Sequence, residues 1–95
     1  MNITGREILK KFVAKHSICK TWVNNWVADV ENSSWNSTHD IKARYPLASF
    51  VKKLVIFNVK GNNYRLEVIV AFNLKMVRIV WVGTHAEYDE RNKSR

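Results

Sequence analysis

The feature that most constrains the fold is a change of hydrophobic period near Phe50. Before this residue apolar side chains recur every three or four positions, and after it they recur at every second position. The first spacing is typical of an amphipathic helix and the second of a half-buried strand. A chain with its helices first and its adjacent strands afterwards builds an α+β fold. We therefore predict N-terminal helices packed on one face of an antiparallel β-sheet.

The first half of the chain predicts two long helices. Thr4 and Glu7 have the T-x-x-E spacing of a capping box, so the first helix should begin there and end near His16. Ser17 can cap the second helix, whose apolar stripe extends over roughly four turns. One row of this stripe contains Trp22, Trp26 and Val30. We expect this second helix to cover the sheet.

Two shorter elements flank these helices. Residues 1–3 could form a short edge strand ahead of the first helix. Residues 40–44 predict a third, short helix, and this helix must stop at Tyr45 because Pro46 disfavours a helical conformation in the residue before it.

The second half predicts three strands joined by turns. Residues 54–59 should form a buried strand, and the following "KGNN" supplies the Gly and Asn residues that reach positive φ in a tight hairpin. The return strand, residues 64–73, alternates so that Arg65 should lie on the face away from the helices. The last strand, residues 76–82, should end at Gly83, and residues 91–95 should form a solvated basic tail.

Composition and charge restrict the class of protein. A chain of 95 residues suits a single domain, residues 1–95. Sixteen Lys and Arg against eight Asp and Glu give a net charge of +8, which favours an acidic partner such as nucleic acid or a negatively charged protein. Cys19, the single cysteine, is expected to be buried and can form no internal disulfide. With no signal peptide or membrane-spanning run, the expected location is the cytoplasm.

The ends of the predicted strands bring together side chains that could cleave RNA. We expect Lys60, Arg65, His85 and Tyr88 to converge there, with Asn58 and Asn63 nearby. A ribose 2′-hydroxyl can attack its own 3′-phosphate if one group removes its proton, another neutralises the phosphoryl oxygens and another protonates the departing oxygen. Histidine suits proton transfer near neutral pH, and the planar fork of arginine matches two phosphate oxygens at once.

Each of these side chains also has an ordinary structural explanation. His85 could be a surface residue, Arg65 could pair with an acid across the sheet, and Tyr88 could pack against Trp81. His16 and His39 have no neighbouring Cys and no carboxylates at ligand spacing, so we predict no metal site and no cofactor.

Three stretches of the chain resemble the motifs of a known family. They are "DIKARYPLASFV" (residues 40–51), "VIFNVKGNNYRLEV" (residues 55–68) and "VGTHAEYD" (residues 82–89). Together they look like the HigB-type toxins of bacterial toxin-antitoxin systems, a branch of the RelE/ParE-like superfamily. The resemblance covers nearly the whole chain in order.

The resemblance implies a RelE-like fold and an endonuclease that cuts messenger RNA, usually in the ribosomal A site. It also implies a cognate HigA-type antitoxin with a helix-turn-helix domain. The toxin would contact DNA only as part of a complex with this antitoxin. Carried over to this sequence, the motifs assign Lys60 and Arg65 to phosphate binding. They assign His85 and Tyr88 to proton transfer, and they also contain Asp89. As further RNA-binding candidates we include Asn58, Asn63, Lys52 and Lys53.

Two other functions would use the same residues. The basic face could grip a nucleic acid or a protein without cleaving it. Alternatively, the chain could poison a protein target such as a topoisomerase, as members of the ParE branch do. The position of His85 and Tyr88 just after the last strand favours RNA cleavage.

Overall fold

A computed structural model of the chain describes residues 1–93. It contains the predicted helices and strands in the predicted order, together with a short strand, Ser49–Val51, and a C-terminal helix, His85–Lys93, that were not predicted. The elements are β1 (Asn2–Thr4), α1 (Arg6–Lys15), α2 (Lys20–Glu31), α3 (Thr38–Arg44), β2 (Ser49–Val51), β3 (Leu54–Val59), β4 (Tyr64–Ala71), β5 (Met76–Thr84) and α4 (His85–Lys93). A short 3-10 turn, Ser17–Cys19, separates α1 from α2. None of the helices within residues 1–93 is long and apolar enough to cross a membrane.

The five strands form one sheet in the order β1-β5-β4-β3-β2. The edge strand β1 runs parallel to β5, and the remaining neighbours are antiparallel. The predicted α+β fold is confirmed. The hairpin of β3 and β4 forms around residues 60–63, as predicted. Its register aligns Asn58 with Arg65 and Val59 with Tyr64.

The core lies between the sheet and the first two helices. Leu66 and Val68 of β4 have no exposed surface and point toward this layer. From α2, Trp26 meets Phe57 of β3 edge to face, with ring centroids 5.5 Å apart. Cys19 is buried as predicted. Burial raises the pKa of its thiol, while a hydrogen bond with Tyr64 and the charge of Lys60 lower it.

The starts of the helices differ from the prediction. Thr4 and Glu7 form no capping box: Gly5 precedes α1 in a left-handed conformation, with φ of 82°, and no side chain caps the helix. A Cβ on Gly5 would lie 2.9 Å from the carbonyl oxygen of Ile79, so close contact with β5 sets the entry into α1. Ser17 begins the 3-10 turn rather than capping α2. The third helix starts at Thr38, two residues before its predicted start.

A polar cluster attaches α3 to α2. The Tyr45 hydroxyl donates a hydrogen bond to Oδ2 of Asp29 at 2.6 Å, and Arg44 forms an ion pair with the same carboxylate at 3.0 Å. Burial, followed by this hydrogen bond, raises the pKa of Tyr45 well above its usual range. The neutral hydroxyl is thus part of the folded state.

We expect Tyr45→Phe to lower the free energy of unfolding by about 1 kcal/mol near pH 7, because Asp29 loses a donor. Since folding raises the pKa of Tyr45, its contribution should be complete below the unfolded pKa of about 10 and should be lost as pH rises above it. Urea unfolding from pH 7 to 11 measures both effects. An equal decline of stability with pH in the wild type and the variant would contradict this role.

The last strand contains an irregularity that sequence analysis did not predict. Glu67 pairs with Trp81, but its neighbour Val68 pairs with Ile79, so Val80 is an extra residue in β5. The extra residue reverses the alternation of the strand. Ile79 therefore joins the core, whereas Trp81 lies on the opposite face beside Glu67. The strand also continues to Thr84, beyond the predicted end at Gly83.

Candidate active site

Helix α4 packs on the face of the sheet that α1 and α2 leave uncovered. Nη2 of Arg91 lies 3.2 Å from Oε1 of Glu67, a carboxylate with no exposed surface. The Arg91 guanidinium also lies 4.7 Å from the centroid of the Trp81 ring. The prediction of a solvated tail is therefore wrong for Arg91, whereas Asn92 and Lys93 are exposed at the end of α4. Ser94 and Arg95 lie outside the described residues.

A capping box starts this helix. The Thr84 backbone N–H donates to Oε1 of Glu87 at 2.9 Å, and the Glu87 backbone N–H donates to the Thr84 hydroxyl at 3.1 Å. The hydrogen bond from the Thr84 backbone is the main cause that lowers the pKa of Glu87. The T-x-x-E spacing was visible in the sequence at this position, and it explains both residues structurally.

His85 is the first residue of α4, and two contacts fix its position. Its backbone N–H donates to the carbonyl oxygen of Asn63 at 2.9 Å, which ties the helix to the β3–β4 turn. Its Nδ1 lies 3.0 Å from Oδ2 of Asp89, one helical turn later, while 42% of the side chain remains exposed. A histidine held through one nitrogen can use the other for a substrate proton.

Arg65 lies on the same face as α4, in the row formed with Asn58 of β3 and Gly83 of β5. Its guanidinium donates to the Asn62 side-chain oxygen at 2.9 Å and to the Asn62 and Tyr64 carbonyl oxygens at 3.2 and 3.1 Å. These acceptors are neutral. Among residues 1–93 no ion pair reaches Arg65, so the alternative of a partner acid is wrong. Its positive charge is available to an anion.

Tyr88 connects Arg65 to the tryptophan of β5. Its ring centroid lies 5.8 Å from the Arg65 guanidinium carbon and 6.3 Å from the Trp81 ring centroid. The structural alternative predicted for Tyr88, packing against Trp81, is therefore observed. The ring nevertheless stays next to Arg65, so packing and a role at the site are compatible.

The predicted asparagines and Lys60 surround the same hairpin in different ways. Asn58 shares the row of Arg65, and Asn63 donates a hydrogen bond from Nδ2 to the Lys60 carbonyl oxygen at 3.3 Å. Lys60 is exposed in the turn. Within the part of the chain that the structure describes, no hydrogen bond or ion pair joins its ammonium to Arg65, His85 or Tyr88.

Gly61 has positive φ, 70°, as predicted, but the other turn residue with positive φ is Lys60, at 54°, rather than an asparagine. The charge of Lys60 also reaches the thiol of Cys19 on the helix side of the sheet. Lys60 thus lies at the predicted end of the sheet, and its role in phosphate binding stays a prediction.

Lys52 and Lys53 do not lie near these residues. They form the turn between β2 and β3, at the opposite end of β3 from Asn58 and Lys60. A strand of six residues spans about 20 Å. The RNA-binding role of Lys52 and Lys53 stays a prediction, and it would concern a part of the substrate distant from Arg65.

The sheet, its two covering helices and the Arg65, His85 and Tyr88 group define a small basic α+β protein of the RelE-like type. Comparison with family models shows a match over residues 19–91 to the HigB toxin family, described as the RelE-like toxic component of a toxin-antitoxin system. The chain belongs to this family, which implies a cognate antitoxin. No curated protein matches the chain.

Proposed function

We propose that the chain is an endoribonuclease that cleaves messenger RNA by transesterification. The observation that carries this proposal is the Arg65 guanidinium. It has no carboxylate partner among residues 1–93 and lies 5.8 Å from the ring of Tyr88 on the helix that His85 begins. An arginine free to bind phosphate beside an imidazole and a phenol meets the requirements of 2′-hydroxyl attack.

In this mechanism each side chain has a distinct task. As the 2′-oxygen bonds to phosphorus, the bond from phosphorus to the 5′-oxygen breaks, and the products are a cyclic phosphate and a 5′-hydroxyl. Arg65 neutralises the charge that builds on the phosphoryl oxygens. His85, held by Asp89, is the main proton-transfer group, and Tyr88 orients it or shares that task. Water can later open the cyclic phosphate to a 3′-phosphate.

The substrate class follows from charge and from the surroundings of the site. The net charge of +8 favours association with RNA, both the message and the ribosome. Asn58 and Asn63 border the site and are the nearest candidates for contacts to neighbouring nucleotides. Lys60 would add a phosphate contact at the same end of the sheet, and Lys52 and Lys53 would contact a more distant part of a long substrate. We place this activity in the cytoplasm, on messages in the ribosomal A site.

Brief induction of the protein without its antitoxin, followed by mapping of RNA ends, tests the proposal. We expect new ends within coding regions, with 5′-hydroxyl groups on one side and cyclic or 3′-phosphates on the other. Purified protein should cleave the same messages when ribosomes are present. Intact messages would overturn the proposal. Intact messages with damaged DNA would favour a topoisomerase poison, and unimpaired growth would favour a binding protein.

A further inference from the structure

The outer side of the helical layer contains an apolar groove that the proposed reaction does not use. It lies between α1 and α2 and has a volume of about 750 Å³. Its apolar lining consists of Leu9, Val13, Ala14, Val23, Val27 and Ala28. Two of these, Ala14 and Ala28, are exposed. Small exposed side chains let another backbone approach closely.

The position of the groove separates it from the candidate active site. Helices α1 and α2 cover the sheet face that carries Leu66 and Val68, whereas Arg65 lies on the opposite face of β4. A molecule in the groove would therefore not occupy the Arg65 site. Such separation is expected of a surface that holds a partner rather than a substrate.

The rim of the groove is cationic. Arg6, Lys10 and Lys20 line it together with one acid, Glu31, so three positive charges and one negative charge leave a net +2. Glu31 is already paired with Arg6 at 2.8 Å. The two lysines thus flank an apolar floor with no rim acid left to neutralise them.

The apolar floor and the cationic rim together indicate which kind of molecule could bind in the groove. Nucleic acid would match the lysines but would gain nothing from the apolar floor. A second copy of this chain would bring its own cationic rim against this one. An amphipathic helix with an apolar stripe and acidic flanks matches both the floor and the rim.

We propose that this groove docks an acidic amphipathic helix of the cognate antitoxin. The proposal rests on membership of the toxin-antitoxin family and not on the chemistry of RNA cleavage. Helix α1 has ten residues and is about 15 Å long, so the bound helix would contribute about three turns. Its apolar anchors would recur at i, i+3 or i+4 and i+7.

Exposed alanines offer substitutions that block the groove without harming the fold. Ala14→Glu and Ala28→Glu would place a helix-compatible but acidic side chain in the path of the partner. Ala43→Glu is the matched control, because Ala43 is exposed on α3 and lies outside the groove. Purified full-length antitoxin is the probe, and titration calorimetry measures its dissociation constant. We expect each groove variant to weaken binding at least about tenfold, since the added carboxylate fills the groove and repels the acidic flanks of the partner, and the control to bind normally.

Ala28→Lys tests the chemistry of the partner, because it adds similar bulk with the opposite charge. We expect it to weaken binding less than Ala28→Glu does, and we expect this difference to shrink at high salt. Equal losses for both substitutions would overturn the acidic partner. If Ala14→Glu and Ala28→Glu bind the antitoxin with wild-type affinity, the groove is not the binding site. The same conclusion would follow if the bound antitoxin protected only the Arg65 face from hydrogen exchange.

Growth assays separate this proposal from the nuclease proposal. Expressed alone, the groove variants should inhibit growth as the wild type does; expressed with antitoxin, they should escape its control. If the wild type cleaves no RNA, the nuclease proposal fails. The antitoxin affinities of the groove variants would still test whether the groove is the binding site. If groove variants stay toxic alone and are fully neutralised by antitoxin, only the groove proposal fails.

Discussion

Replacing Arg65 with alanine is expected to slow RNA cleavage by about 100- to 1000-fold, the usual effect of removing one preorganised donor from a transition state. The guanidinium is held by Asn62 and the Tyr64 carbonyl and, in the described part of the chain, pairs with no carboxylate, so it is preorganised for an anion. The backbone of Arg65 would keep its pairing with Gly83. The fold should therefore survive the substitution.

Two further variants sharpen this prediction. Arg65→Lys retains the charge but lacks the planar fork, so its rate should lie between those of the wild type and the alanine variant. Arg78→Ala is the matched control, because Arg78 is an exposed arginine on the same sheet face but is paired with Ile69, farther along β4. Single-turnover cleavage and thermal unfolding measure rate and stability. An alanine variant at position 65 that cleaves RNA at the wild-type rate would refute the role of Arg65.

The hairpin shows what sequence analysis could predict. The alternation of Tyr64, Leu66 and Val68 determines which face each residue takes, and a short turn between two strands leaves little freedom in their register. Arg65 therefore lies on the predicted face. His85 lies at the predicted end of the sheet for the same reason, since it follows the strand that pairs with β4.

The packing of α4 on the sheet face that carries Arg65 could not be predicted in the same way. Val80 and Trp81 are both residue types that favour strands, so their identity does not indicate a β-bulge in β5. The contact of Arg91 with Glu67 joins residues 24 positions apart. Such a pair follows from tertiary packing rather than from a local pattern. The T-x-x-E pattern, by contrast, occurs twice in the sequence, but it forms a capping box only at Thr84, because Gly5 rather than Thr4 precedes α1.

The lysines show a different limit. Lys52 and Lys60 both lie in turns and both adopt positive φ, 56° and 54°. Charge along a sequence indicates an attraction to phosphate but not the direction in which a turn side chain points. The structure places Lys60 in the turn at the Arg65 end of the sheet and Lys52 at the opposite end of β3, and their contacts with RNA stay predictions.

Gly83→Ala is expected to disturb the site through Trp81. A Cβ on Gly83 would lie 2.5 Å from Cζ2 and 2.8 Å from Cη2 of the Trp81 ring, and 2.9 Å from Oε1 of Glu87. Contacts this short force the indole to move, and the indole supports Arg91 and Tyr88 of α4. We expect a loss of about 1 to 3 kcal/mol in the free energy of unfolding. RNA cleavage should fall as well, because His85 and Tyr88 belong to α4.

A double variant tests whether the clash with Trp81 is the cause. Trp81→Ala alone removes the support for α4, and in Gly83→Ala/Trp81→Ala the new methyl group has no ring to displace. The two losses of stability should therefore sum to more than the loss in the double variant, since residues in contact are not additive. Urea unfolding gives the three values, and hydrogen exchange should show faster opening of α4 in each single variant. Strict additivity would mean that the glycine is required for a reason other than the close approach of the indole.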